Sequence, residues 1–293
     1  SLYAEKGLEI DPEKIKSSKE IIKNNTGMFS NFKSTQMLAL ATMLSFAEDI
    51  ERKMREVLKI YEILKMEFRS SLYLPLSAFV ISDMVVDRDY EKVARKANEL
   101  YKKMKTEHPF LTSGEDSGFA VLFAISDISS DAAIVEMEKC YEILRHKFFS
   151  ANAVQSLSHT LALGEEDAIK KCNNAIEIFE RLKNRNYKFG TGMELSVLGI
   201  LALASNNIEK VVNDISETSD YLLTYKGFGA FGMGKTHRIM YAAILVSQEY
   251  KKQCSENIIN IATVNSVTSI IIAQQAVMAA IIATSAASSV SNN

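Results

Sequence analysis

The residues closest to a known chemistry are Gly229-Ala-Phe-Gly-Met-Gly234-Lys235-Thr236. They satisfy the phosphate-loop pattern G-x-x-x-x-G-K-[ST], in which glycine amides wrap phosphates, lysine neutralises them and threonine holds magnesium. That chemistry needs a buried strand before the loop and a later strand ending in an aspartate for the metal. No aspartate follows Asp220, and no stretch of the chain has a strand pattern. The segment is therefore read as a turn between helices. A weaker form of the reading keeps an anion held by glycine amides, Lys235 and a helix amino terminus.

A second constellation comes from aligning internal copies of the chain. Gln36, Tyr73, Asp116, Gln155, Glu194, His237 and Arg238 recur five to seven residues after a marker phenylalanine. In a ring of helical hairpins they gather at one mouth of a cavity, where acid-base or ligand-holding groups belong. Ser113-x-x-Asp116, Asn152-x-x-Gln155 and Thr191-x-x-Glu194 also have capping-box spacing. There the first side chain accepts from a free backbone amide and the last reaches back. Both roles stay open for these residues. His237 and Arg238 do not fit the box and are the better ligand candidates. His159 sits in a run apolar on every side and reads as a core histidine. His108, His146, His159 and His237 form no pair with metal-ligand spacing and have no nearby cysteine, so neither a metal nor a cofactor is expected. Asp83, Asp87, Asp89, Asp127 and Asp131 read as caps at the start of the next helix. An aspartate-rich D-D-x-x-D helix, a G-x-S-x-G elbow and a basic-aromatic stripe for nucleic acid are all absent from the sequence.

The elements that must position these residues follow a repeat of about 40 residues that returns roughly six times. Each copy is a polar helix with an aromatic residue, a turn marked by phenylalanine, and an apolar helix. The aromatic falls at Tyr61, Tyr101, Tyr141, Phe179 and Tyr221, and the turn marker at Phe29, Phe68, Phe110, Phe149, Phe189 and Phe231. The polar helices carry an apolar stripe at helical spacing, such as Met54, Val57, Leu58, Tyr61 and Leu64. The aromatic is thus a packing position against the next hairpin. The apolar helices, for example FAVLFAIS at 119–126, are hydrophobic all round and belong inside. Ala39, Ala78, Ala120 and Gly199 lie ten residues after a marker and let these inner helices approach closely.

Bulk properties agree with a folded helical chain. Of 293 residues, 47% are hydrophobic and 24% charged, and the net charge of -2 gives no field toward nucleic acid. Cys140, Cys172 and Cys254 are far apart in sequence and odd in number. They read as reduced thiols, and with no signal-like start the expected location is the cytoplasm. No charged side chain follows Glu256. Residues 267–287 sit at the edge of membrane-span length, but Gln274, Gln275 and many serines and threonines favour a buried helix. An open solenoid ends in a polar cap. This chain has none, so a closed ring or a homodimer through 267–287 is expected to cover that end.

The segments His108-Pro-Phe-Leu-Thr-Ser-Gly-Glu-Asp116, Phe149-Ser-Ala-Asn-Ala-Val-Gln-Ser-Leu-Ser-His-Thr-Leu-Ala-Leu163 and Arg238-Ile-Met-Tyr-Ala-Ala243 resemble a bacterial family of uncharacterised proteins catalogued as DUF4003. The resemblance implies no activity, so no catalytic residue carries over. The repeat length is similar to that of HEAT-type repeats.

The resulting expectation is an all-α fold forming a single domain over 1–293. Residues 12–255 would build about six or seven hairpins in an α/α toroid or tightly curved superhelix, and 256–290 charge-free C-terminal helices. Function is expected to be that of a helical-repeat binding or scaffold protein, taking an unknown small molecule or protein in a cavity or concave face. No nucleic acid is expected as partner, and attachment to a membrane is disfavoured. The alternative is an α/α-toroid enzyme acting on a small molecule or glycan through acidic residues at the inner-helix mouth. Candidate ligand-binding residues are Asp116, Gln155, His159, Glu194, Lys235, His237 and Arg238.

Overall fold

A computed structural model describes residues 2–5, 8–69, 71–126, 128–192, 194–229 and 234–253, and among these every regular element is helical. The C-terminal helices expected over 256–290, with the run 267–287, and Phe231, Asp127 and Cys254 lie outside the described residues. After a short α1 (Leu2–Glu5), polar and more apolar helices alternate, the apolar ones shorter except for the last. They are α2 (Pro12–Asn25), α3 (Met37–Leu44), α4 (Ile50–Glu67), α5 (Leu74–Met84), α6 (Tyr90–Glu107), α7 (Ser117–Ile125), α8 (Ser130–Leu144), α9 (Ala151–Ala162), α10 (Ala168–Asn184), α11 (Leu195–Ala204), α12 (Ile208–Leu223) and α13 (Gly234–Gln253). One compact unit spans residues 8–130 and holds α2 to α7; a second begins at Asp131.

The polar helices start where a short side chain can cap them. Asp11, Asp49, Asp167 and Asn207 accept from the amides of Lys14, Arg52, Ile169 and Lys210, each worth about 1 kcal/mol. Asp83, Asp87 and Asp89 were expected to do this work and do not. Asp89 makes no capping bond, while Asp83 and Asp87 pair with Lys53 and Lys59 at 2.7 and 2.6 Å. The same lysine row closes the far ends of the apolar helices. Lys53 donates to the carbonyl of Ser82 and Lys96 to that of Ser126, where α5 and α7 leave carbonyls unpaired. The apolar helices are buried on all sides, as in Leu74–Ile81 and Ser117–Ala124. In the second unit a side chain on Gly199 would stand 2.8 Å from Thr160, so α11 and α9 meet with no room for a methyl group.

The repeating aromatic contact is an edge-to-face pair between the turn of one hairpin and the polar helix of the next. Phe32 meets Tyr61, Phe68 meets Tyr101 and Phe148 meets Phe179, with ring centroids 5.0, 5.5 and 5.1 Å apart. This corrects the sequence register of the marker. Phe68 and Phe189 are buried, but Phe29, Phe110 and Phe149 stand in solvent, 96% or more exposed. The buried partners in the first and fourth turns are Phe32 and Phe148. Tyr221 is also exposed, pairing with Tyr225 instead of a neighbouring hairpin.

In the first unit the three polar-to-apolar turns touch in series. Asn31 Nδ2 donates to the carbonyl of Ser71 at 2.8 Å, and Ser71 Oγ to that of Gly114 at 3.4 Å. A side chain on Gly114 would come 2.4 Å from Ser71 Oγ, so glycine lets the second and third turns close. This row of turns carries the site described next.

Candidate functional site

Between the second and third turns lies a cleft of about 460 Å³. The end of α4 supplies Glu67, Phe68 and Arg69. The facing side of α6 supplies Asn98, Tyr101, Lys102 and Lys105, the turn before α7 supplies Gly114, and the first residue of α7 is Ser117. Residues 98, 101, 102 and 105 share one helix face because they are three and four apart. Phe68, Leu74 and the Tyr101 ring make an apolar wall. Asn98 holds the single carboxylate, donating to Glu67 Oε2 at 3.2 Å. Ser117 Oγ donates to the Gly114 carbonyl at 2.7 Å.

Three cations line this cleft, and none has an ion-pair partner among the described residues: Arg69, Lys102 and Lys105. The repeat shows how unusual that is. In the neighbouring copies the residue after the packing aromatic is glutamate, namely Glu62, Glu142 and Glu180. Glu62 binds Lys65 at 2.9 Å, Glu142 binds Arg145 at 3.0 Å and Glu180 binds Lys147 at 2.7 Å. In the third copy that position is Lys102. The substitution places two ammonium groups one turn apart on α6 and leaves Lys105 without its glutamate. Like charges at this spacing cost a few tenths of a kcal/mol. Among the described residues no ion pair offsets that cost, and the opposite charge acting on Lys105 is that of the buried Asp116.

Asp116 sits behind the cleft at the start of α7, 4% exposed. Its carboxylate accepts from the Ser113 amide at 2.8 Å and completes a capping box. Burial raises its pKa to about 7, opposed by that hydrogen bond and by Lys105. Burial likewise raises Glu115. The Tyr73 hydroxyl is pushed up by burial and by the charges of Glu115 and Asp116. Burial and Asp116 raise Tyr101 against the pull of Arg69, so its hydroxyl stays protonated near neutral pH and can donate into the cleft.

Comparison with known proteins places the chain by sequence. The DUF4003 family, described as a protein of unknown function, matches residues 1–276. The chain belongs to that family. It is also similar to the uncharacterized protein YeaA of Bacillus subtilis (strain 168), 26% identical over 171 residues. That match covers 57% of this chain and 52% of the relative, so the chain spans about half the length of the curated protein it resembles. No solved structure matches it.

Asp116 is the one expected site residue that this DUF4003 member places in its first unit; the other six lie in the second. Gln155 and His159 are buried on α9, one turn apart, at 3% and 2% exposure. The cap of α9 is Ser150, whose Oγ accepts from the Ala153 amide, and not the box expected from Asn152 and Gln155. Glu194 makes no capping bond either. Its carboxylate folds over Gly190, where an added side chain would meet Oε1 at 1.4 Å. Lys235 donates to the Asn186 carbonyl and lies 5.9 Å from the Tyr187 ring centre, its ammonium drawn to the backbone of the preceding turn. His237 is exposed. Arg238 is 7% exposed and donates to Ser219 Oγ at 3.3 Å and to the Phe228 carbonyl at 2.9 Å. Gly234 starts α13, and residues 230–233 of the glycine-lysine segment lie outside the described residues. No group of three or more metal-ligating side chains forms among the described residues.

Sequence reasoning missed Arg69, Lys102 and Lys105. The signal was in the repeat: glutamate follows the aromatic at 62, 142 and 180, and lysine at 102.

Proposed function

We propose that this chain is a helical-repeat binding protein whose first unit takes a small anionic molecule in the cleft between its second and third turns. The observation that carries the reading is the replacement of the repeat's glutamate by Lys102, which removes the partner of Lys105 and, with Arg69, puts three cations without ion pairs among the described residues around a 460 Å³ cleft. That volume falls in the range of small-molecule sites, about 300–1,000 Å³. A local rule broken at an electrostatic cost is expected where function demands it. The capping role of Asp116 supports binding over the alternative of an acid-base enzyme, because its carboxylate is committed to the Ser113 amide.

Arrangement of the hairpins as an α/α toroid or tightly curved superhelix is part of the proposal and rests on the repeat, which recurs in both units. So is a cytoplasmic location, which the free thiols of Cys140 and Cys172 support. Among the described residues no helix is long and apolar enough to cross a membrane.

The test is a thermal-shift screen of the full chain against small organic acids and phosphates, repeated with Lys102→Glu. This variant restores the repeat's own residue and gives Lys105 a partner three residues away, as Glu62 gives Lys65. The fold should be unharmed and stabilisation by ligand lost. A screen with no stabilising anion, or a variant that keeps the stabilisation, rejects the proposal.

A further inference from the structure

The donors and acceptors of the cleft are lopsided. Lys102 and Lys105 each bring three N–H groups and Arg69 five, while the Tyr101 hydroxyl has no hydrogen-bond partner among the described residues. Against these stands one carboxylate, Glu67, already held by Asn98. The matching group is therefore acceptor-only and more than singly charged. Its donors arrive from two directions: Arg69 from beyond the end of α4, Lys102 and Lys105 from α6, separated by about 4.5 Å of helix rise. A planar carboxylate carries one charge and two oxygens in one plane. A phosphate monoester carries close to two charges on three oxygens that diverge toward donors on different sides. Phe68, Leu74 and the Tyr101 ring give the wall its apolar part, beside the polar Ser71, Asn98 and Ser117. That part fits an apolar or aromatic body.

From this we infer that the ligand is a phosphate monoester of an apolar or aromatic molecule, its phosphate among Arg69, Lys102 and Lys105 and its body against Phe68 and the Tyr101 ring. The inference rests on the binding role proposed for the cleft and names the ligand class.

Calorimetric titration of the full chain with phenyl phosphate, inorganic phosphate, phthalate and benzoate tests it. Phenyl phosphate should bind saturably, and each of the other three at least about tenfold more weakly, since charge-assisted bonds to three cations and contact with the wall are both needed. Lys102→Glu should weaken phenyl phosphate by at least about tenfold without lowering the thermal midpoint. The line width of the phosphorus NMR signal should report the same loss. Phthalate or benzoate binding as tightly as phenyl phosphate overturns the inference and leaves an anion cleft standing. Inorganic phosphate binding equally well overturns the apolar body. Failure of every anion to bind the folded wild-type chain removes both the inference and the function it rests on.

Discussion

Asp116→Asn separates the two things that Asp116 does. The side chain caps α7 by accepting from Ser113, and an asparagine oxygen can accept the same bond. The aspartate also carries a titratable charge into a site where it is 4% exposed. Burial moves its pKa from 3.8 to about 7 in the folded protein. The sign follows from proton linkage. The folded state holds the proton more tightly than the unfolded chain, so stability falls as pH rises through the interval between those two values. Each tenfold change in proton affinity is worth about 1.4 kcal/mol, so the full penalty is on the order of 4 kcal/mol above about pH 7. It is nearly absent at about pH 3 and about 2 kcal/mol at about pH 5. The asparagine variant does not titrate and escapes the penalty. Its stability advantage over wild type should therefore grow by about 2 kcal/mol between about pH 5 and about pH 7.5.

Urea unfolding of both proteins across that range measures the difference directly. An advantage that stays flat with pH would show that the carboxyl titrates in its ordinary range and that burial does not govern it. A variant less stable than wild type at every pH would show that the cap needs the aspartate itself. Either result refutes the reasoning.

Phe68→Ala should cost about 3 kcal/mol, because Phe68 is 8% exposed and packs edge-on against Tyr101. Phe110→Ala, at a residue 99% exposed, should stay within about 0.5 kcal/mol of wild type; equal losses in urea titrations would contradict the assigned register. Gly199→Val should lower the thermal midpoint by several degrees, about 1–3 kcal/mol, since Thr160 stands 2.8 Å from the new carbon; an unchanged midpoint would mean α9 and α11 are not in close contact. Cys140 and Cys172 are both fully buried, and the Cys172 thiol is pushed up by its hydrogen bond to Cys140 and by burial. Both should resist a thiol-reactive dye in native buffer and react once urea is added; rapid native labelling of either would overturn their placement.

The alternation of polar and apolar helices was legible because it rests on burial, which composition reports directly. Leu74–Ile81 and Ser117–Ala124 are apolar runs, and they are buried. The turns were harder to read. Phe148 and Phe149 are adjacent and chemically identical, yet only Phe148 turns inward to Phe179. Which of two neighbours points inward depends on where the helix ends, and sequence pattern places that end only to within a residue or two. The aspartates before α6 failed as expected caps for a related reason. Lys53 and Lys59, one hairpin back in sequence, are near enough to claim Asp83 and Asp87. Cys140 and Cys172 are 32 residues apart, yet the Cys172 sulfur lies 3.9 Å from the Cys140 carbonyl, a contact made only when polar helices pack side by side.

A repeat protein supplies its own reference state, and that decides which departures carry meaning. After Tyr221 the repeat's glutamate is also lost, but to Leu222, and no cation is stranded by it. Tyr221 and Tyr225 satisfy one another at 2.6 Å between hydroxyls. After Tyr101 the same position gains a charge of the wrong sign beside Lys105, with Arg69 on the same cleft and none of the three in an ion pair among the described residues. The first change is neutral, and drift suffices to produce it. The second opposes the local electrostatics of its own helix. A ligand bearing the opposite charge would relieve that repulsion only while bound. Binding should therefore stabilise the folded chain, and Lys102→Glu, which supplies the counter-charge covalently, should raise the stability of the unliganded protein toward that of the liganded one.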